Sequence, residues 1–177
     1  LVRRGRHERL GEVFSTIEDR ARHLEGFIRG YARFAKLPQP QLQPIAWPEF
    51  LGRLQRQIGF VLEGADEGLH ARMDVAQMEQ ALLNLLKNAH ESGTAPDAVE
   101  LEVRELGSEV RIEVRDRGSG MSEAVMANAL VPFYSTKRSG TGLGLALARE
   151  IAEAHGGRLG LANREGGGLA VTLSLPR

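Results

Sequence analysis

Apolar residues recur at helical spacing near the start of the chain, from residue 8 to about residue 36. No proline interrupts this segment. The apolar side chains fall mostly three and four positions apart, at Leu10, Val13, Phe14, Ile17, Ala21, Leu24, Phe27, Ile28, Tyr31, Phe34 and Ala35. The pattern predicts one long amphipathic helix. Such a long apolar stripe needs a second helix to cover it.

The segment KLPQPQLQP, residues 36–44, is expected to end this helix. Pro38, Pro40 and Pro44 enforce extended backbone and cannot continue a helix. We therefore predict a helical unit over residues 1–37, a linker over 38–44 and a second unit over 45–177.

In the second unit, apolar residues change between helical and strand spacing. Four helices are predicted. The first covers WPEFLGRLQRQI, and the second runs from an N-cap at Asp74 to a stop at Glu91-Ser92-Gly93. The third covers SEAVMANAL, and the fourth runs from Leu143 to His155. Strands are predicted over GFVLEG, LHARM, VELEVREL, EVRIEVRD, RLGLAN and LAVTLSL. This order indicates an α+β fold: a two-layer sandwich with a mixed sheet and its helices on one face.

Composition excludes several kinds of site. The 23 lysines and arginines balance the 23 aspartates and glutamates, so no overall basic field attracts nucleic acid or an anionic membrane. Without cysteine there is no disulfide, thiolate nucleophile or cysteine-bound metal. No apolar run is long enough for a membrane span or a signal peptide. We expect a cytoplasmic fragment of a longer protein, which is itself either soluble or membrane-anchored.

The stretch NLLKNAHESG places two asparagines on one face of the helix that begins after Asp74. At 100° per residue, Asn84, Asn88 and Glu91 share a narrow wedge. A solvated polar face is the ordinary explanation. Asparagine, however, costs helix propensity relative to the glutamate or lysine that a simple surface would use. The pair is weak evidence for a ligand site.

The stretch DRGSGMS follows a predicted strand. Gly118 and Gly120 allow a sharp turn and a close approach of the backbone to a ligand. The Asp116 carboxylate, at the strand end, can accept a hydrogen bond from an exocyclic amine. A simple turn after an edge strand is the alternative.

In SGTGLGLAL, residues 139–147, Gly140, Gly142 and Gly144 lead into a helix. Free N–H groups and the positive end of the helix dipole favour phosphate there. The glycine spacing fits neither a Rossmann fingerprint nor a P-loop, and a flexible loop is the alternative.

The preceding stretch VPFYSTKRSG combines aromatic and cationic residues. We expect Phe133 and Tyr134 to anchor the loop on the core, which leaves Lys137 and Arg138 to reach a phosphate. A pair of surface cations without a ligand is the alternative.

Together and in this order, the four segments resemble the nucleotide-binding boxes of sensor histidine kinases. These belong to the Bergerat-type ATP-binding superfamily, with gyrase, mismatch-repair ATPases and heat-shock chaperone ATPases. NLLKNA resembles the N box, DRGSGM the first glycine box, VPFYSTK the F box and GTGLGLAL the second glycine box. The match spans about residues 41–177. It implies a Bergerat fold, with an ATP lid over about 117–141 and magnesium-ATP as the ligand.

The resemblance also implies a role for each matching residue. Asn88 would ligate a magnesium ion that bridges the phosphates, and Asn84 and Lys137 would share in catalysis. Asp116 would receive the adenine N6 amine. The other residues implied at the nucleotide are Lys87, Gly118, Gly120, Met121, Phe133, Arg138, Gly140, Thr141, Gly142, Leu143, Gly144 and Leu145. Many relatives carry a basic residue at the position of Glu91. Because this chain has a glutamate there, phosphate contacts would depend on Lys87 and the loop cations Lys137 and Arg138.

The amide at Asn84 separates the kinase and ATPase branches of this superfamily. The hydrolytic branch carries a glutamate there as general base, and an amide cannot accept a proton at neutral pH. The resemblance therefore implies a protein-histidine kinase that acts by positioning and charge neutralisation and relays phosphate to a response regulator. A non-kinase ATPase and a nucleotide-binding scaffold are the alternatives.

The family's phosphoacceptor motif, an H box of the form His-Glu-x-x-Asn/Thr-Pro, is not found. His7 precedes Glu8 but lacks the Asn/Thr-Pro, so we expect the acceptor histidine on a segment missing here. Residues 8–36 and the following linker resemble the second hairpin helix of nitrogen-regulation-type sensor kinases. Residues 1–37 would then be part of a dimerisation and phosphotransfer hairpin, through which the intact protein forms a homodimer. No nucleic-acid or direct membrane contact is expected.

Overall fold

The computed structural model describes residues 37–65, 71–137 and 140–177, and near the start residues 10, 11, 13–18, 20, 21, 24, 25 and 28. The described N-terminal positions are helical. Their large apolar side chains are about half exposed, at Leu10, Val13, Phe14, Ile17, Leu24 and Ile28. The remaining positions of the helix predicted over 8–36 lie outside the described residues, so the continuous helix stays a prediction.

From residue 37 onward, the described part of the chain forms seven strands and four helices. The strands are β1 (Gln43–Pro44), β2 (Val61–Ala65), β3 (Arg72–Met73), β4 (Glu100–Leu106), β5 (Glu109–Arg115), β6 (Arg158–Asn163) and β7 (Leu169–Pro176). The helices are α1 (Trp47–Gln57), α2 (Val75–His90), α3 (Glu123–Asn128) and α4 (Gly144–Ala154), with a 3-10 turn at Pro96–Ala98. The predicted helices and strands of the second unit are present, with bounds shifted by a few residues.

A five-stranded mixed sheet organises this unit, in the spatial order β2-β4-β5-β7-β6. β2 runs parallel to β4, and the other neighbours are antiparallel. β4 and β5 form the predicted hairpin, with Leu106 opposite Glu109. Gly107 in its turn has φ 64°, a conformation that glycine adopts without steric cost. The α+β class with a mixed sheet is confirmed.

The two faces of the sheet differ as strand alternation requires. Even-numbered residues of β5 are buried against the helices, whereas odd-numbered ones face a charged network. In that network Arg115 lies among four carboxylates, those of Glu63, Glu100, Glu102 and Glu113. The helices therefore cover one face, as predicted.

α1, α2 and α4 close the core on the covered face. α2 and α4 pack against each other and against the sheet. Fully or almost fully buried side chains include Trp47, Leu51 and Leu54 of α1, Met78, Leu82 and Leu85 of α2, Ala148 and Ile151 of α4, and Ile112 and Leu173 of the sheet. This packing fixes α2 and α4 side by side, with the start of α4 next to the C-terminal half of α2.

The start of α2 is capped from two directions. Asp74 caps it as predicted, since its Oδ1 accepts a hydrogen bond from the Gln77 N–H over 3.0 Å. The Asp74 N–H in turn donates to Nε2 of His155 over 3.0 Å, and His155 Nδ1 lies 2.7 Å from the Ile151 carbonyl oxygen. Nε2 must therefore be unprotonated and Nδ1 must carry the proton. This buried histidine joins the end of α4 to the start of α2.

Two short strands lie outside the main sheet. β1 pairs antiparallel with β3, with Gln43 opposite Met73 and Pro44 opposite Arg72. The sequence predicts a strand over residues 69–73 but not its partner, because Pro44 has no N–H and its surroundings resemble a linker. Residues 66–70 lie outside the described part of the chain.

The outer strand β2 contains an irregularity. Its pairing with β4 shifts register between Glu63 and Ala65, and Gly64 has φ 57°. This is a bulge at the edge of the sheet, where bulges are common.

Candidate functional site

A cavity of about 550 Å³ lies between α2, the end of β5, the loop over 117–137 and the start of α4. It brings together most of the residues that the sequence singles out: Asn84, Lys87, Asn88, Asp116, Gly120, Met121, Lys137, Gly140, Thr141, Gly142, Gly144 and Leu145. Three others, Gly118, Phe133 and Leu143, do not line it, and Arg138 lies outside the described residues. The four sequence segments therefore converge on one cavity.

Asp116 lines this cavity and is only 3% exposed. Its Oδ1 accepts hydrogen bonds from the N–H groups of Gly118, at 2.8 Å, and Leu169, at 3.2 Å. No hydrogen bond to Oδ2 is formed within the described part of the chain. One carboxylate oxygen therefore fixes the side chain, and the other remains an acceptor for a ligand amine.

The two asparagines of α2 face the cavity, as their shared wedge predicts. Asn84 Oδ1 accepts a hydrogen bond from Gln80 Nε2 over 3.3 Å. Asn88 Oδ1 accepts one from Lys137 Nζ over 3.1 Å, and the same ammonium lies 2.9 Å from Oε2 of Glu91. The loop lysine thus contacts the helix face directly.

The start of α4 offers backbone N–H groups to the cavity. The residue before the helix, Leu143, provides no side-chain cap, and no acidic residue occupies the first turn. Gly144 and Leu145, in that turn, line the cavity. Uncapped N–H groups and the helix dipole make this end favourable for an anion such as phosphate.

Gly142 is required by the close approach of two loop segments. It has φ 66°, and a Cβ there would lie 2.5 Å from the carbonyl carbon of Phe133 and 2.7 Å from Tyr134 N. Gly142 O also accepts the Phe133 N–H over 2.9 Å. The glycine therefore lets the end of the loop pass against its own beginning.

The expectation that Phe133 anchors this loop on the core is wrong. The Phe133 side chain is 43% exposed, and its backbone has φ 70°, in the left-handed region. Tyr134, beside it, is partly buried and lines the cavity. The hydrogen bond between Phe133 N and Gly142 O holds this backbone over 2.9 Å.

Two hydroxyl residues after α2 hold the loop that follows Asp116. Thr94 Oγ1 accepts the Arg117 N–H over 2.9 Å and lies 2.8 Å from Ser92 Oγ. Gly118 packs so closely on Ser92 that a Cβ would collide with it. Sequence reasoning missed this contact, because Ser92 and Thr94 look like ordinary residues of a helix stop.

The cavity offers a metal ion side-chain oxygen donors at α2 and its C-terminal end. The described residues contain no group of three or more histidine, aspartate or glutamate side chains close enough to hold a metal ion. The amide oxygen of Asn88 and the carboxylate of Glu91 both face the cavity. Such a sparse set fits Mg²⁺, which keeps several waters and takes most other ligands from substrate phosphates.

Of the five histidines, His90 and His155 fall within the described residues. His90 Nε2 lies 2.7 Å from the Gly59 carbonyl oxygen, and both ring nitrogens of His155 contact backbone groups. Neither ring lines the cavity. His7, which precedes Glu8 but lacks the rest of the phosphoacceptor motif, lies outside the described residues.

Among the described residues, no helix is both long and apolar enough to cross a membrane.

Comparison with protein families gives one domain match. Residues 73–177 match the family described as histidine kinase-, DNA gyrase B- and HSP90-like ATPase. The matched range contains all four sequence segments that converge on the cavity.

Curated relatives are sensor kinases. The chain is 34% identical to the C4-dicarboxylate transport sensor protein DctS of Rhodobacter capsulatus, over 94% of this chain and 27% of DctS. It is 37% identical to the sensor protein FixL of Bradyrhizobium diazoefficiens, over 68% of this chain and 24% of FixL. The chain thus spans about a quarter of the length of these relatives.

Solved structures share the fold. The catalytic domain of histidine kinase ThkA superposes with a TM-score of 0.68 at 27% identity, over 77% of this chain and 95% of that domain. Full-length ShkA in complex with AMPPNP superposes with a TM-score of 0.72 at 24% identity, over 87% of this chain and 36% of ShkA. The chain belongs to the histidine kinase-, DNA gyrase B- and HSP90-like ATPase family, and the part that contains residues 73–177 is a catalytic domain of the sensor histidine kinase type.

Proposed function

We propose that this chain is the ATP-binding catalytic part of a two-component sensor histidine kinase. It transfers the γ-phosphate of ATP to a histidine on a segment outside this sequence, for relay to a response regulator. The catalytic unit covers residues 45–177, with an ATP lid over about 117–141, and residues 38–44 link it to a helix of the dimerisation hairpin. Within the family identified above, the position of the two asparagines carries this proposal.

The two asparagines place a pair of side-chain amides on the face of α2 that lines the cavity. Asn84 and Asn88 both line it. By the family resemblance, Asn84 would stand where the hydrolytic branch carries the glutamate that activates water. An amide takes no proton from water at neutral pH. Glu91 is the carboxylate on the same helix face, but it forms an ion pair with Lys137 and is mostly exposed. This arrangement holds ATP for another nucleophile.

Adenine would bind at Asp116 and the triphosphate near α4. Asp116 Oδ2 would accept the N6 amine, while Gly120 and Met121 form the wall beside it. The phosphates would lie between the uncapped start of α4 and the ammonium groups of Lys87 and Lys137. In this position the positive end of the helix and both cations neutralise charge on the transferring phosphoryl group.

Mg²⁺ would be held at Asn88, together with phosphate oxygens and water. When bound, this ion supplies charge neutralisation between the phosphates. Asn88 Oδ1 accepts a hydrogen bond from Lys137 Nζ, and because the ammonium and the metal ion are both positively charged, they would compete for this oxygen. With the metal held there, Lys137 would contact the phosphates instead of the amide.

Homodimerisation through the N-terminal helix and docking of a response regulator complete the proposed function. The half-exposed apolar side chains of the described N-terminal positions support the first, because such a stripe is stable when another helix covers it. The structure of ThkA in complex with the response regulator TrrA covers 90% of this chain at 23% identity and a TM-score of 0.71. It offers a geometry for testing the second.

The test is phosphotransfer in trans. This chain would be incubated with γ-labelled ATP, Mg²⁺ and a longer version of the protein whose own Asp116 is replaced by Asn and which carries the hairpin histidine. We expect acid-labile, base-stable label on that histidine. Free phosphate without protein label would support an ATPase instead, and binding without turnover would support a scaffold.

A matched control isolates the role of the amide. Ala76→Glu places a new carboxylate on the same helix at an exposed position that does not line the cavity, and the protein label should persist. Asn84→Glu should reduce label on histidine and increase release of free phosphate. Equal label from both variants would contradict the role given to Asn84.

A further inference from the structure

The turn between β6 and β7, residues 163–168, lies directly against the loop that follows Asp116. Asn163 ends β6 and points its side-chain amide at Met121. Asn163 Oδ1 accepts the Met121 N–H over 2.8 Å, and Asn163 Nδ2 donates to the Met121 carbonyl oxygen over 2.7 Å. One amide thus satisfies both backbone polar groups of Met121, as a neighbouring strand would.

Gly120 is fitted to this contact. It has φ 67°, and a Cβ at this position would lie 2.7 Å from Asn163 Oδ1 and 3.2 Å from the Gly168 carbonyl oxygen. Any larger residue would push the amide away from Met121. The glycine therefore serves the approach of Asn163 as well as the turn.

The same turn also holds the other end of the loop. Arg164 Nη1 donates to the Asp116 carbonyl oxygen over 2.9 Å, and Nη2 lies 3.3 Å from Oε2 of Glu100. Gly168 packs so closely that a Cβ would collide with the Asp116 carbonyl. The residues before and after the loop glycines, Asp116 and Met121, are therefore fixed by one hairpin.

We propose that Asn163 is a positioning residue for the nucleotide base. By holding the backbone of Met121, it sets the distance between the Met121 side chain and the Asp116 carboxylate, the two groups that would enclose adenine. This inference rests on the proposed function, since it takes the ligand of this pocket to be an adenine nucleotide. Asn163 does not line the cavity, so it acts through Met121.

A positioning role and a merely structural role predict different results. If Asn163 only stabilised the fold, its loss would lower the unfolding midpoint and leave the preference for one base over another unchanged. If it positions the wall of the base pocket, its loss would weaken ATP binding far more than GTP binding. Hydrogen bonds in a pocket discriminate only when their geometry is held.

The experiment measures the Kd of ATP and of GTP by calorimetry for the wild-type chain, Asn163→Ala and Asn163→Asp. Gln55→Ala is the matched control, because Gln55 Nε2 also donates to a backbone carbonyl, that of Phe60, on a helix away from the cavity. For Asn163→Ala we expect the Kd of ATP to rise about tenfold, the equivalent of one net hydrogen bond. The Kd of GTP should change less than about twofold, a difference within the variation of surface substitutions.

Asn163→Asp keeps the side-chain shape and covers the case in which the alanine variant does not fold. A carboxylate can accept the Met121 N–H but places its second oxygen against the Met121 carbonyl. It should therefore also lose preference for ATP, with an unfolding midpoint near that of Gln55→Ala.

The outcomes separate this inference from the proposed function. A wild-type chain that binds no ATP, or binds GTP equally well, contradicts the adenine site itself. A wild-type chain that prefers ATP, with Asn163 variants that keep this preference or lose both affinities in parallel, overturns the inference and leaves the proposed function standing.

Discussion

Lys137 Nζ donates a hydrogen bond to Asn88 Oδ1 over 3.1 Å, although the two residues are 49 positions apart in the chain. The same ammonium pairs with Glu91 over 2.9 Å. The loop lysine is therefore divided between an amide, a carboxylate and, in the proposed function, a phosphate.

Because Glu91 competes for Lys137, Glu91→Gln should tighten ATP binding. The pair is largely exposed, and such ion pairs contribute at most about 1 kcal/mol, so we expect the Kd to fall by up to about fivefold. Calorimetry at low and high salt measures the effect, which should shrink as salt screens the pair. Glu150→Gln is the control, since Glu150 pairs with Arg149 outside the cavity. A Kd that rises in Glu91→Gln would make Glu91 a ligand rather than a competitor.

Asp116→Asn should abolish adenine-nucleotide binding while the fold stays intact. The amide oxygen can still accept from Gly118 and Leu169, but its NH₂ group would face the N6 amine, donor against donor. We expect the Kd of ATP to rise about 100-fold or more.

Titration with ATP and a thermal melt without nucleotide measure these two effects. Asp97→Asn, on the exposed 3-10 turn, is the control with the same chemical change. Undiminished affinity in Asp116→Asn would place the base elsewhere.

Gly142→Ala should disrupt the junction between the loop and α4. The added Cβ meets the backbone of Phe133 and Tyr134, and alanine at φ 66° costs about 1–2 kcal/mol before any contact is counted. We expect ATP affinity to fall at least about tenfold, as a 1.4 kcal/mol loss at the phosphate site would produce. Gly160→Ala, where a Cβ meets nothing within 4 Å, should bind ATP as the wild type does. Equal affinity in both variants would show that the junction does not contact the nucleotide.

Asp74→Ala should destabilise the fold in a pH-dependent way. Burial raises the pKa of the Asp74 carboxyl, but the N–H groups of Gln77 and Gln41, with smaller contributions from Ala76 and His155, together hold this pKa below its ordinary value. A carboxyl with a lowered pKa stabilises the folded state above its unfolded pKa, and this stability is lost as pH falls through the folded pKa.

We therefore expect a loss of about 1 kcal/mol in the free energy of unfolding at pH 7, typical of a lost N-cap. The difference from wild type should narrow below about pH 4, where the carboxyl protonates. Urea denaturation of both proteins at pH 7 and below about pH 4 measures this difference in the free energy of unfolding. A pH-independent difference would assign the effect to lost packing rather than to the charged cap.

Local chemistry was enough to predict most elements of the second unit. Asp74, three residues before Gln77, marks the start of α2, and Gly107 marks the turn between two alternating strands. These signals act over a few residues, so one sequence contains them in full. The shared face of Asn84 and Asn88 can be predicted in the same way, because helical periodicity alone brings the two residues to one side of the helix.

Local sequence signals do not predict contacts between segments that are far apart in the chain. Thr94 and Arg117 are 23 positions apart, and Asn163 and Met121 are 42 apart. Nothing near either residue distinguishes a polar group that holds a loop from one that faces water. The sequence also does not predict the exposure of Phe133, because this aromatic residue has a left-handed backbone, which is uncommon.

The bulge at Gly64 bears on how these molecules behave at high concentration. β2 is the edge of the main sheet, and its exposed Val61 and Leu62 would invite a strand from another molecule to pair with it. The bulge breaks the regular ladder in the middle of that edge, and the ion pair of Glu63 with Arg115 places charge beside it. Both features discourage edge-to-edge aggregation of the main sheet.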